Sequence, residues 1–296
     1  MANTLNGVNL ARLSQLSLDT LLTETLPLRQ FVTDFSPEVR SSGETVTTRF
    51  ASSWPSVQDF AASKSPGDVT TTARTITLNN FDGIAIAFDD LERTYSDIEL
   101  IDLFVQPAMS TLIEHVTSAA LGVITAANGF NATAALAATD MNADAMADLA
   151  EALTNQKVPR SGRAAILKPS YYAGLVKDNV IQAVDSSGSS EALRDHRVSR
   201  VHGISPVEYN GNIPAGDADM EGFVGHRNSL CIAARGVNKP VAGTWYGNIA
   251  DVVDPVSNLP MQLREYYNGS QMVYEWALNF GVSHGVTDSG IIIASA

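Results

Sequence analysis

The chain has 296 residues, of which 45% are hydrophobic, and this length suffices for one large domain or two to three subdomains with cores of their own. It carries 19 basic and 32 acidic residues, which give a net charge of −13. Because proteins that bind nucleic acid need a basic surface to neutralise phosphates, this balance argues against sequence-specific binding of DNA or RNA. No signal-peptide pattern opens the chain, and no apolar run reaches the roughly 18 to 20 residues that cross a bilayer. We therefore expect a protein that is made in the cytoplasm, stays soluble until it meets its partners and has no contact with a membrane.

The first segment, residues 1–40, is predicted to form an N-terminal arm. A leucine stripe at helical spacing runs from Leu10 to Leu22, and an irregular stretch bracketed by Pro27 and Pro37 follows it. A segment this short cannot bury its own apolar side chains, so we expect it to lie against another element.

The next segment, residues 41–88, is predicted to form an extended β-hairpin. Apolar and polar residues alternate from about residue 45 to 51 and again from 69 to 78, and a tip rich in Ser, Pro and Gly separates the two runs. Both runs hold few large apolar residues and look polar on both faces, so we expect the hairpin to add little to the core of its own chain. A better-buried strand with Ile84, Ile86 and Phe88 should follow.

Residues 96–127 show the strongest helical pattern of the chain. Ser96 is a suitable N-cap with Glu99 at the capping-box position, and Pro107 should kink the helix or split it. A helix of this length spans about 45 Å and would serve as a structural spine. Apolar residues recur along it at helical spacing at Ile101, Phe104, Val105, Ala108, Leu112, Val116, Ala119 and Val123.

The rest of the chain mixes helices and strands. An amphipathic helix is predicted around residues 146–153, a short buried strand over 163–167, and a second helix that begins near Pro169. Later strands are predicted at 203–209, 223–234, 272–282 and 291–293, and the strict alternation in the third of these indicates a half-buried strand.

Catalytic signatures are absent from the sequence. It has no phosphate loop, dinucleotide fingerprint, zinc-protease motif or nucleophile elbow, and its five histidines lack metal-ligand spacing. We expect His115 to be a packing residue of the long helix and the single cysteine, Cys231, to be a small buried residue. The basic stretch at residues 194–202 is either an anion or interface patch or a solvated loop, and we favour the loop. An acidic stretch at 217–221 fails the calcium-loop pattern and is predicted to be a surface turn. We therefore expect no enzyme activity, no cofactor and no metal.

The order of these elements resembles the major capsid proteins of tailed double-stranded DNA bacteriophages, whose fold is shared with encapsulins. Local motifs strengthen the resemblance, since each matches a helix, strand or loop of that family in the same order. They are ADLAEAL at 147–153, VP at 158–159, RAAILKPSYYAGL at 163–175, GISPV at 203–207, NIP at 212–214, FVGHRNSL at 223–230 and AAR at 233–235.

The resemblance implies an α+β fold with an N-terminal arm, an extended hairpin loop, a peripheral domain built on the spine helix and a mixed αβ axial domain. It assigns residues 89–129 and 251–296 to the peripheral domain and 130–250 to the axial domain. The implied function is that of a structural subunit that assembles as pentamers and hexamers into an icosahedral capsid around phage DNA. An encapsulin-type nanocompartment shell is the alternative.

The resemblance also implies partners and a location. These are other copies of the chain, a separate scaffolding protein, a portal and a decoration protein, in a virion capsid assembled in the bacterial cytoplasm. Because relatives overlap neighbouring subunits through the hairpin loop, we expect inter-subunit contacts at Val46, Phe50, Trp54, Phe60 and Lys64. In some relatives a loop lysine forms an isopeptide bond with an asparagine, and Lys64 would be its counterpart; a solvated lysine at the tip is the simpler expectation.

Overall fold

The computed structural model describes residues 32–34, 45–51, 71–89, 99–183, 195–210, 220–237, 247–253 and 260–296. Within these ranges the chain forms both helices and β-sheets, which confirms the predicted α+β class. The helices are α1 (Glu99–Leu121), α2 (Ala143–Asn155), α3 (Pro169–Lys177) and α4 (Asn179–Gln182). The strands are β1 (Val32–Asp34), β2 (Thr45–Ala51), β3 (Thr71–Thr77), β4 (Asn80–Asp89), β5 (Thr133–Ala135), β6 (Arg163–Leu167), β7 (Ile204–Glu208), β8 (Met220–His226), β9 (Leu230–Arg235), β10 (Gly247–Val253), β11 (Pro260–Asn268), β12 (Gln271–His284) and β13 (Gly290–Ala294).

A six-stranded sheet is organised around β12, the longest described strand. β12 pairs antiparallel with β11, β4 and β9; β10 extends the sheet beyond β11, and β1 lies parallel to β9. The predicted strand at 272–282 is confirmed, but the expectation that it is half-buried was wrong. Trp276 and Phe280 on one face and Val273 and Ala277 on the other are all buried. The alternation in sequence therefore separates large from small residues here, and not buried from exposed ones.

The spine helix α1 packs against the main core with Ala108, Leu112 and Val116, as its periodicity predicts. Its predicted cap Ser96 lies outside the described residues. The helix ends at Leu121 and not at residue 127 as predicted. The reason is local: Gly122 follows the last helical residue, and the Thr125 side chain accepts a hydrogen bond from the Asn128 N–H, which starts a separate short turn.

A five-stranded sheet has the order β5-β13-β8-β6-β7 and carries α2 and α3 on one face. The Asn142 side chain caps α2 by accepting from the Ala145 N–H at 2.9 Å, and Pro169 occupies the first turn of α3. The predicted helix near 146–153, the buried strand at 163–167 and the helix at Pro169 are all confirmed. The run predicted at 223–234 consists of two strands, β8 and β9, joined by a turn that contains Ser229.

The two sheets share one core. Residues of the five-stranded sheet, such as Ile166 and Phe223, belong to the same hydrophobic cluster as α1 and Trp276 of the six-stranded sheet. Consecutive strands also change sheet, since β8 lies in the five-stranded sheet and β9 in the other. The domain boundaries at residues 130 and 250 remain predictions. Strand β9 lies between these boundaries and pairs with β12, which follows residue 250. Strand β13 also follows residue 250 and pairs with β8, which lies between the boundaries.

Candidate assembly surfaces

The root of the hairpin is anchored to the six-stranded sheet. Strands β2 and β3 pair antiparallel from Thr45↔Thr77 to Ala51↔Thr71, which confirms the predicted hairpin arms. Alternate residues of β9 face opposite sides of its sheet, so Leu230, Ile232 and Ala234 enter the main core while the other face is left for the hairpin. That second face carries a small cluster made of Val46, Ile76, Leu78, Cys231 and Ala233.

A close contact between two backbones also holds the root of the hairpin against β12. A Cβ atom placed on Gly281 of β12 would lie 2.0 Å from the Thr77 carbonyl oxygen, so only glycine allows the hairpin to approach β12 this closely. The expectation that the hairpin is polar on both faces was therefore wrong at its root. Val46 is only 6% exposed and Ile76 is fully buried, because β9 offers them an apolar surface that the local sequence does not reveal.

Beyond its root, the described part of the hairpin is covered by little of its own chain. From the pair Thr48↔Arg74 outward to Phe50↔Thr72, every described side chain is partly or fully exposed. An isolated two-stranded ribbon has little stability of its own in water. The described outer positions therefore add little to the core of this chain, apart from Phe50, which packs against the root cluster.

The contact residues predicted from the sequence fall in three places. Val46 is buried inside its own chain, and Phe50 is half-buried beside the same cluster. Trp54, Phe60 and Lys64 lie outside the described residues. The role of all five in contacts between subunits stays a prediction, and the burial of Val46 shows that its side chain is covered without a neighbour.

A second exposed surface lies on β4. Among the described strands β4 pairs with β12 alone, which places it at the edge of its sheet. Its outward face is flat, because Gly83, Ala85 and Ala87 are small, and the Phe81 side chain at its end is 59% exposed. Only glycine fits at position 83, because a Cβ atom there would lie 2.6 Å from the Trp276 carbonyl oxygen.

Three described side chains with reactive groups, Cys231, His115 and His196, are engaged in structural contacts. Burial raises the pKa of the Cys231 thiol to about 12, with Arg74 opposing the shift, so the cysteine is a poor nucleophile and a small buried residue as predicted. His115 is half-exposed, its Nε2 lies 2.9 Å from the Asp82 carboxylate, and its ring contacts Phe280 edge-on. It is thus a surface hydrogen-bond partner more than the packing residue we expected. The Nε2 atom of His196 lies 3.9 Å from the Oε2 atom of Glu208.

The described ranges contain no group of three or more histidine, cysteine or acidic side chains arranged to hold a metal ion. They also contain no helix that is both long and apolar enough to span a membrane.

Comparison by sequence returned nothing: no known family and no curated protein matches this chain. Comparison of structures gave a different result. A chain of Mycobacterium phage Che8 superposes with a TM-score of 0.61 at 16% identity over 88% of both chains. The capsid structure of the cyanophage P-SCSP1u gives a TM-score of 0.61 at 14% identity over 90% of this chain and 86% of its own.

The chain has the phage capsid fold. A virus-like particle from Pyrococcus furiosus shares this fold, with a TM-score of 0.57 and 12% identity over 96% of this chain and 98% of the other. The capsid fold predicted from the order of elements and the local motifs is therefore confirmed. At 12–16% identity, the arrangement of strands and helices is preserved while most side chains differ.

Proposed function

We propose that this chain is a structural subunit that assembles as pentamers and hexamers into an icosahedral capsid around the genomic DNA of a tailed phage. One observation carries the proposal: a chain with the capsid fold over nearly its whole length holds a hairpin whose root is buried in its own core and whose described outer positions are partly or fully exposed. In this proposal a neighbouring subunit covers the outer hairpin, with Phe50, Trp54, Phe60 and Lys64 as contacts.

The charge of the chain is compatible with a container for DNA. A net charge of −13 keeps the average surface repulsive to phosphate, so a wall of such subunits would hold the packed genome without binding it tightly. No catalytic step is part of this role. A separate scaffolding protein, a portal and a decoration protein complete the proposed assembly, which takes place in the host cytoplasm and ends in the virion.

A nanocompartment shell is the second candidate function. It is favoured by the Pyrococcus furiosus virus-like particle, which aligns with almost the entire chain. The two functions differ in what the particle contains, so nuclease-protected DNA in purified particles supports the capsid and a co-purifying protein cargo supports the compartment.

Electron microscopy of the expressed chain, with and without a co-expressed scaffolding protein, tests the proposal. Closed icosahedral shells with five- and six-fold units are expected. A chain that stays monomeric under all assembly conditions would overturn it.

A shortened hairpin provides the matched control. Ala51 and Thr71 are opposite each other in the ladder, so a two-residue Asn-Gly turn in place of residues 52–70 closes the hairpin without changing its root. We expect this variant to fold as a monomer with unchanged thermal stability and to form no shells. Shells at the wild-type yield would show that the outer hairpin is not an assembly contact.

A further inference from the structure

Helix α2 has two flanks of different character in the described part of the chain. It packs on one face of the five-stranded sheet. Residues spaced three, four or seven positions apart lie on the same side of a helix. Ala147, Ala150 and Thr154 line a cleft on one side, and Ala145, Asp148 and Ala152 line a groove on the other.

The first flank is basic. Its cleft, of about 550 Å³, lies between α2 and the turn that precedes β7, and it is lined by Arg160, Arg163, Arg200 and His202. Among the described residues, Glu151 is the single carboxylate in this lining. The clustering is notable in a chain with 19 basic and 32 acidic residues.

Arg163 forms the floor of this arginine cleft. It is 4% exposed, and its guanidinium donates to the carbonyl oxygens of Pro159, Ala150 and Val158 and to the Thr154 hydroxyl. Burial lowers its pKa, and the nearby charge of Arg160 lowers it further. Arg160 and Arg200 are exposed at the rim, where their charges are available to a partner; Arg200 also donates to the Gly203 carbonyl at 3.1 Å.

The opposite flank is acidic and apolar. Its groove, of about 370 Å³, runs between α2 and β5, and its lining contains Asp148 and no basic residue in the described part of the chain. Asp144 is exposed one helical turn before Asp148 and is a second carboxylate on the same side of α2, although it does not line the groove itself. We call Asp144, Asp148 and the groove the acidic flank.

The two flanks lie at opposite edges of one sheet. In the order β5-β13-β8-β6-β7, the acidic flank adjoins β5 and the arginine cleft adjoins the start of β7. A protein that forms closed rings needs two different, mutually complementary surfaces, because in a ring each subunit presents one surface to each of its neighbours. Opposite charge on opposite edges provides this complementarity within one chain.

We propose that copies of this chain form rings head to tail, with the acidic flank of one copy, Asp144 and Asp148, packed against the arginine cleft of the next at Arg160 and Arg200. This inference rests on the proposed function, since it names the surfaces by which the five- and six-membered units of the shell are held together. It also gives the basic stretch at 194–202 an interface role in place of the solvated loop we favoured from the sequence.

Charge reversal tests the ring contact. The first variant carries Arg160→Glu and Arg200→Glu, the second carries Asp144→Arg and Asp148→Arg, and the third carries all four substitutions. Each of the first two places like charges in the contact, which opposes association, so we expect the yield of closed shells to fall about tenfold or more. The third variant restores opposite charges with the flanks exchanged and keeps the net charge of −13, so its yield should return toward wild type.

A mixture of the first two variants gives a sharper test. Each variant can pair only with the other, so the two must alternate around a ring and can close only rings with an even number of subunits. Native mass spectrometry should then detect hexamers with three copies of each variant and no pentamers, whereas wild type forms both.

The outcomes separate the possible explanations. Thermal unfolding first confirms that every variant is folded. Normal shells from either charge-reversed variant, or no recovery in the fourfold variant, would overturn the ring contact. Binding of inorganic phosphate by wild type that is lost in the first variant, together with normal shells, would show that the cleft is an anion site instead. Absence of rings from wild type itself would count against the proposed function and not only against this contact.

Discussion

Strand β12 and the hairpin strand β3 both alternate in sequence and lie in opposite environments. β12 places Met272, Trp276 and Phe280 on one face and is buried on both sides over most of its length. β3 places threonine or arginine at most of its positions and buries only Ile76 near its root. The amount of apolar surface per strand, and not the alternation itself, separates the strand that builds the core from the strand whose side chains stay largely exposed.

This comparison predicts the largest loss of stability at Trp276. Its side chain is 1% exposed in the shared core, opposite Leu263 and Ile84 in the neighbouring strands. Trp276→Ala should lower the free energy of unfolding of the isolated subunit by about 3–5 kcal/mol, through lost burial and the cavity left behind. Urea titration of the purified monomer measures this change in the free energy of unfolding. A loss below about 1 kcal/mol would mean that β12 is not the centre of the fold.

A smaller loss is expected where the two regions meet. In Gly281→Ala the added methyl group collides with the Thr77 carbonyl oxygen, so the hairpin root must move, at a cost of about 1–3 kcal/mol. Hydrogen exchange should show faster exchange in β2 and β3.

Gly236→Ala is the matched control for this substitution, because the new Cβ would meet only Pro260 at 4.0 Å. It should change stability by less than about 0.5 kcal/mol. Equal effects of the two substitutions would show that the contact between Gly281 and Thr77 does not hold the hairpin.

The smallest effect on the isolated subunit is expected at Trp54. If the outer hairpin contacts neighbouring subunits, Trp54→Ala changes the free energy of unfolding of the monomer by less than about 0.5 kcal/mol. Each lost contact should lower the free energy of association between subunits by about 2 kcal/mol. Thermal unfolding of the monomer and particle yield on a density gradient measure the two quantities. A large loss of monomer stability with normal particle yield would place Trp54 in an internal core.

Sequence reasoning succeeded where short-range patterns govern the structure. The periodicity around residues 146–153, the Pro169 start of α3 and the buried run of β6 depend on residues within a few positions of each other, and the helices and strand they predict are present. The hairpin arms were predicted for the same reason, since both runs alternate and a turn-rich tip separates them.

Assembly surfaces were harder to predict, because they depend on long-range packing. Burial of Val46 requires β9, which follows it by more than 180 residues in the chain. Arg160 and Arg200 come to line one cleft only when the turn before β7 folds beside α2, and nothing in the sequence near Asp148 indicates that it lies on the opposite flank of the same helix.

The sequence by itself determined most of the helices and strands and their order, because periodicity and turn residues act locally, and the capsid fold was implied by the resemblance of that order and of the local motifs to tailed-phage capsid proteins. Only the tertiary structure decided which strands share a sheet, which side of β9 receives the hairpin and which charges lie on opposite edges of the five-stranded sheet. The physical reason is that these outcomes depend on pairing and packing between distant segments. β4 pairs with β12 across about 190 residues, and no local pattern encodes such a partner.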